Sequence, residues 1–146
     1  MGDFAKEINA SFTSERLKAL LNIKFTSNWL DQIGSEILKP YNISEQQYNI
    51  LRILRGAEKE MAVNQVKERM IQKSPNSTRL MDKLCEKKLI ARSRCENDRR
   101  VVFVKISDKG LKLLEDIDMS EFDKYINRLS EKEAVKLSEL LDKIRN

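Results

Sequence analysis

The sequence contains no histidine, which removes the commonest general base together with every Ser-His-Asp and Cys-His catalytic arrangement. Cysteine is nearly as scarce. The two present, Cys85 and Cys95, have no third thiol or imidazole with which to complete a tetrahedral site, so neither a metal nor any other cofactor is expected. The four glycines (Gly2, Gly34, Gly56, Gly110) are too scattered for a GxGxxG turn or a GxxxxGK phosphate loop. Together these gaps argue against an enzyme. Apolar runs are short, as in Val101-Val102-Phe103-Val104, and none approaches the ~20 residues of a membrane span. Asp3, Lys6 and Glu7 interrupt any apolar stretch that a secretory signal would need. The expected location is the cytoplasm, with no membrane partner.

Charge is what the chain has in quantity. Of its 146 residues 35% are charged and 40% apolar, a balance that reads as a helix-rich globular chain rather than a disordered one. The length suits a single domain over 1-146, or one compact module with helical extensions at both ends. The net charge of +5 is concentrated in one place. Residues 74 to 109 carry ten lysines and arginines against five acids, leaving eighteen of each sign to cancel elsewhere. Such a local excess is what a phosphate-facing surface requires, because each neutralised phosphate releases condensed counterions. A solvated basic face of no function is the alternative on charge alone.

Hydrophobic periodicity orders the chain. Leu17, Leu21, Phe25, Trp29, Ile33 and Ile37 recur every fourth position and predict one long amphipathic helix over 14-38, ended by Pro40. Ser44 to Gln47 form a capping box opening a second helix that stops near Gly56. A short third helix carries Val63, Val66 and Met70. Ser74-Pro75 then reads as an N-cap and first helical position, predicting a helix to about Lys87. Leu89 to Ser93 and Val101 to Ile106 are short strand-like runs around a polar loop, a hairpin. Ser107 caps a helix expected to continue through Leu129, and Ser130 with Glu133 forms a capping box for the last. The predicted fold is mainly α with a small β-hairpin wing: a winged helix-turn-helix over 44-106, flanked by dimerisation helices at 14-38 and 119-146.

The helix opened at Ser74 divides into two arcs. Leu80, Met81, Leu84 and Cys85 face inward, and Asn76, Arg79, Lys83 and Glu86 face outward with Thr78 and Asp82 beside them. Arginine can bond the two acceptors of guanine and asparagine can match adenine, so Asn76, Thr78 and Arg79 are expected at base edges, Lys83 at phosphate, and Ser74 with the helix start near a backbone phosphate. Ser77 falls on the packed arc and its role stays open. The hairpin tip, Asp98-Arg99-Arg100 with Arg92 and Arg94 on its approach, suits the narrow minor groove, where a guanidinium meets the strongest negative potential, and Asp98 is expected to fix the tip by pairing. The partner implied is double-stranded DNA. A winged-helix module that binds proteins without DNA specificity is the other reading.

At this point the sequence resembles the multiple antibiotic resistance regulator (MarR) family. Residues Ser74 to Leu84 look like that family's recognition helix, and Arg92 to Val102, with Asp98-Arg99-Arg100-Val101-Val102 followed by Ile106-Ser107-Asp108-Lys109-Gly110, look like its wing. The resemblance implies a transcriptional regulator, more often a repressor, in which Arg100 enters the minor groove with Asp98 supporting it and the terminal helices interlock as a homodimer. It also implies small, frequently aromatic or phenolic ligands, for which Phe25, Trp29 and Tyr48 are the candidate lining residues. Lys88 stands where the family usually has glycine, so the end of the recognition helix is expected to be left-handed or rebuilt. Cys85 and Cys95 raise thiol oxidation as a second kind of signal. Two-fold pairing is independently suggested by the apolar stripes of 14-38 and 119-146, which a small core could not cover, and would set the recognition helices roughly 34 Å apart.

Overall fold

Ser14 begins the long helix: its hydroxyl accepts the Leu17 amide, and α2 (Glu15–Leu38) follows. The computed structural model describes residues 2-146. Before α2 lies a four-residue helix that the sequence did not suggest, α1 (Phe4–Glu7), held by Phe4, whose ring stacks on Phe12 at 5.6 Å and meets Phe25 at 5.3 Å. α2 ends in a 3₁₀ turn (Lys39–Tyr41) with Asn42 left-handed at φ 55°.

The capping box at Ser44 forms in full, Gln47 N–H donating to Ser44 Oγ at 3.1 Å and Ser44 N–H to Gln47 Oε1 at 3.0 Å, and it opens α3 (Glu45–Ala57). The expected stop near Gly56 is made instead by Glu58, left-handed at φ 56°. β1 (Met61–Ala62) was not foreseen, since two residues are too few to show an alternating pattern. α4 (Val63–Arg69) and α5 (Ser77–Glu86) complete the helix-turn-helix, and β2 (Ile90–Arg94) pairs antiparallel with β3 (Val102–Ile106). The sheet has the order β1-β3-β2, with Met61 opposite Val104.

Two expectations are corrected. The recognition helix begins two residues later than expected, at Ser77 rather than Pro75. Ser74 Oγ accepts the Asn76 amide at 3.1 Å, so Ser74-Pro75-Asn76 closes into a turn, and Asn76 takes the cap position without a side-chain bond. Ser77 receives the role left open: buried, it donates through Oγ to the Ser74 carbonyl at 2.7 Å and locks that turn to the helix. Nor does one helix run from Ser107 to Leu129. α6 (Asp108–Asp116) stops where Ile117 turns extended (ψ 118°) to bury its side chain in the core, and α7 (Ser120–Ile126) restarts with Asp118 accepting the Ser120 amide at 2.9 Å. α8 (Glu131–Arg145) follows behind the expected Ser130–Glu133 capping box.

Ile50, Leu51 and Leu54 of α3, Val66 of α4, Met81 and Leu84 of α5 and Val104 of β3 form the centre of the core. Fully burying side chains of this size is worth ~1.5–3 kcal/mol each. The consequence is a rigid seat for α5, whose opposite face stays in water.

Candidate nucleic-acid interface

Because Met81 and Leu84 are fully buried, the 3.6-residue period turns Arg79 and Lys83 outward and leaves Thr78 on the flank, and all three are exposed, as is Asn76 in the turn. Ser74 is half-buried and spends its hydroxyl on the turn. At the other end, Lys87 and Lys88 follow the last helical residue. Lys88 is left-handed at φ 60°, its N–H bonded to the Cys85 carbonyl at 2.9 Å and its own carbonyl accepting Ser107 Oγ at 2.7 Å. The backbone thus keeps the geometry a glycine would take, at a conformational cost that lysine bears.

The wing tip is internally bonded. Asp98 Oδ1 accepts both the backbone N–H and Nε of Arg100 at 3.1 Å, and Arg100 Nη2 reaches Oδ2 at 3.4 Å. The Arg100 guanidinium holds the Asp98 carboxyl below the usual carboxylate range. Arg94 donates to the Arg99 carbonyl at 3.2 Å. The Arg100 side chain nevertheless stays 91% exposed, so the bond aims the cation without covering it.

Arg92, a basic residue on the approach to the tip, does more than carry charge. It pairs with Asp82 of α5 and so ties the wing to the recognition helix, and Asp82 raises the Arg92 pKa. No sequence signal announced this pair, because a separation of ten positions that crosses from a helix to a strand fits neither a helix nor a strand period. A cleft of about 270 Å³ between the two elements is lined by Asn64, Thr78, Arg92, Arg100 and Val102. It brings the expected helix residue Thr78 and the expected wing residue Arg100 to one concave surface, and adds Asn64 of α4.

The candidate ligand residues are not brought together. Phe25 packs on Phe4, and Trp29 meets Tyr125 edge-on at 4.7 Å beside a cleft of about 400 Å³ shared with Ile33 and Ile37. Tyr48 packs on the core with Arg52 5.8 Å over its ring. A larger cavity, about 810 Å³, lies where α2, α3 and α5 meet, with the charged Asp31, Glu36, Glu45, Lys39, Lys83 and Lys87 on its walls beside Ile43 and Leu80. Glu45 lies so close to Gly34 that a Cβ there would meet its carboxylate oxygen at 1.6 Å. Burial, with the Asp31 carboxylate as a second cause, pushes the Glu45 pKa up to about 7. Both cysteines are free, and burial pushes the Cys85 thiol up, away from the reactive thiolate. Among the described residues no group of three or more acids and thiols is placed to hold a metal ion, and no helix is long and apolar enough to cross a membrane.

The profile of the family described as Transcriptional regulator SarA/Rot matches residues 32–117, more than half the chain. The chain belongs to the SarA/Rot family of transcriptional regulators. These are winged-helix regulators of the MarR type. The crystal structure of a MarR transcription factor from Planctomyces limnophilus is 34% identical, with 92% of this chain and 98% of that one covered and a TM-score of 0.68. The HTH-type transcriptional regulator MhqR of Bacillus subtilis (strain 168) is 26% identical over 137 residues, 90% of this chain and 92% of MhqR. A mutant MarR from E. coli, complexed with operator DNA, shares the fold at a TM-score of 0.74 and 24% identity, covering 98% of this chain and 99% of that one. SarA/Rot and MarR relatives are regulators of transcription rather than enzymes.

Proposed function

We propose that this SarA/Rot protein binds duplex DNA as a homodimer on pseudo-palindromic operators and acts as a repressor. The observation that carries the reading is the shared cleft of Thr78 and Arg100, set in the segment that holds the whole net positive charge. In it α5 enters the major groove, with Asn76, Thr78 and Arg79 at base edges and Lys83 and the Ser74 turn at phosphate. The wing lies over the adjacent minor groove, Arg100 inserted and Arg94 and Arg99 along the backbone, while Asp98 positions Arg100. Dimerisation through 14-38 and 119-146 is supported by the apolar side chains exposed there, among them Leu17, Leu20, Ile126, Leu137, Leu140 and Ile144. Such a regulator works in the cytoplasm, where it meets its operator.

Relief of binding by a small phenolic ligand rests on the Trp29–Tyr125 cleft alone, since Phe25 and Tyr48 lie elsewhere. Titration of the protein–operator complex with phenols, compared with a Trp29→Ala variant, tests it; equal release from both would count against Trp29.

Salt titration of duplex affinity tests the main reading. The expected result is a steep linear fall of log K with log salt, and in Arg100→Ala a weaker affinity with a slope reduced by about one. Absence of duplex affinity at low salt would favour a winged helix that binds proteins instead.

A further inference from the structure

Within the winged helix-turn-helix, among the described residues, one large apolar side chain stands in water. Ile71 is 86% exposed, whereas every other exposed large hydrophobic residue belongs to the terminal arms. It is not a loose residue. Its N–H donates to Asn49 Oδ1 of α3 at 3.0 Å, and the adjacent Met70 is buried in the core, so one neighbour is anchored inward while Ile71 is held outward. Gln72 shares a cavity wall with Leu80 and Lys83 of α5, which sets this segment along the flank of the recognition helix, just ahead of the Ser74 turn.

We propose that Ile71 is a specificity contact of the DNA complex: an apolar knob that packs on the C5-methyl group of a thymine at the outer edge of each half-site. This rests on the DNA-binding reading above and names a determinant that the charged face of α5 does not supply. In the major groove thymine alone presents a methyl group, so an aliphatic side chain there distinguishes T·A from the other pairs without a hydrogen bond. The fixed backbone matters because the contact gains little if the side chain must be ordered on binding. The exposed Lys73, two residues on, and Lys83, on the same cavity wall as Gln72, supply phosphate affinity but no base information.

The test uses the full-length protein and the operator recovered by the parent from a random duplex pool. Each thymine at the half-site edges is replaced in turn by deoxyuracil, which removes only the methyl group, and affinity is measured for the parent and for Ile71→Ala. For the parent, one thymine per half-site is expected to lose roughly fourfold in affinity on this change, the worth of one buried methyl group. Ile71→Ala is expected to be weaker than the parent on the thymine operator, indifferent to deoxyuracil at that position, and unchanged in melting temperature and salt slope. If the parent binds but Ile71→Ala shows the same affinity or the same uracil penalty, the inference is overturned while the DNA-binding reading stands. If the parent retains no duplex, both fall.

Discussion

At the scale of single residues, the site consists of groups that the fold has set in place before any ligand arrives. Arg100 is the clearest case, because the two bonds of its guanidinium to Asp98 hold in place a side chain that would otherwise sample many rotamers. Arg79, by contrast, has only water to face, and Arg79→Ala is expected to lose on the order of 1–3 kcal/mol of operator binding and to relax preference at one base pair, checked by competition among single-base operator variants. Lys88 holds a left-handed conformation with both its backbone bonds satisfied and its side chain exposed. Lys88→Gly should therefore keep the bonds, release strain of up to about 1 kcal/mol, and raise the melting temperature by a few degrees. The sequence made the Asp98–Arg100 pair and the outward set Thr78, Arg79 and Lys83 legible, since each follows from a local rule, whereas Lys88 was singled out only by the resemblance to the MarR family. It did not make the Arg92–Asp82 tie legible, because a pair across a helix and a strand follows from no local spacing.

At the scale of elements, caps were readable and interruptions were not. Ser14, Ser44, Ser107 and Ser130 each open a helix as their residue types require. Ser74 misled, because a serine hydroxyl that bonds two residues ahead makes a turn as readily as a cap. The break after Asp116 was hidden because Ile117 fits the helical apolar stripe, yet tertiary packing draws it into the core in an extended conformation. α5 is seated through Leu84, fully buried, and Leu84→Ala should destabilise the fold by ~2–5 kcal/mol in denaturant unfolding. The α2–α3 junction carries a pH dependence. In the folded chain Glu45 keeps its proton up to about pH 7, against an ordinary value of 4.5, so the folded state binds the extra proton between those two values. Stability is accordingly highest below that window, falls as pH rises through it, and levels off above pH 7. Glu45→Gln, which resembles the protonated form, should melt higher than the parent at pH 8 and converge with it at pH 4; parallel curves at both pH values would contradict this.

At the scale of the whole molecule, the chain joins a well-packed winged helix-turn-helix to terminal arms that expose apolar side chains, the surface on which the proposed dimer rests. Leu137 on α8 is exposed, so a Leu137→Glu chain should fold with an undiminished helical signal, sediment as a monomer, and lose operator affinity because each protomer then holds one half-site only. Selection of duplexes from a random pool, with the bound fragments sequenced, addresses charge, fold and symmetry together. The account predicts a two-fold motif whose half-site centres lie one helical turn apart, about 10–10.5 base pairs. Recovery of no enriched sequence at low salt, or of a motif without two-fold symmetry, would contradict it.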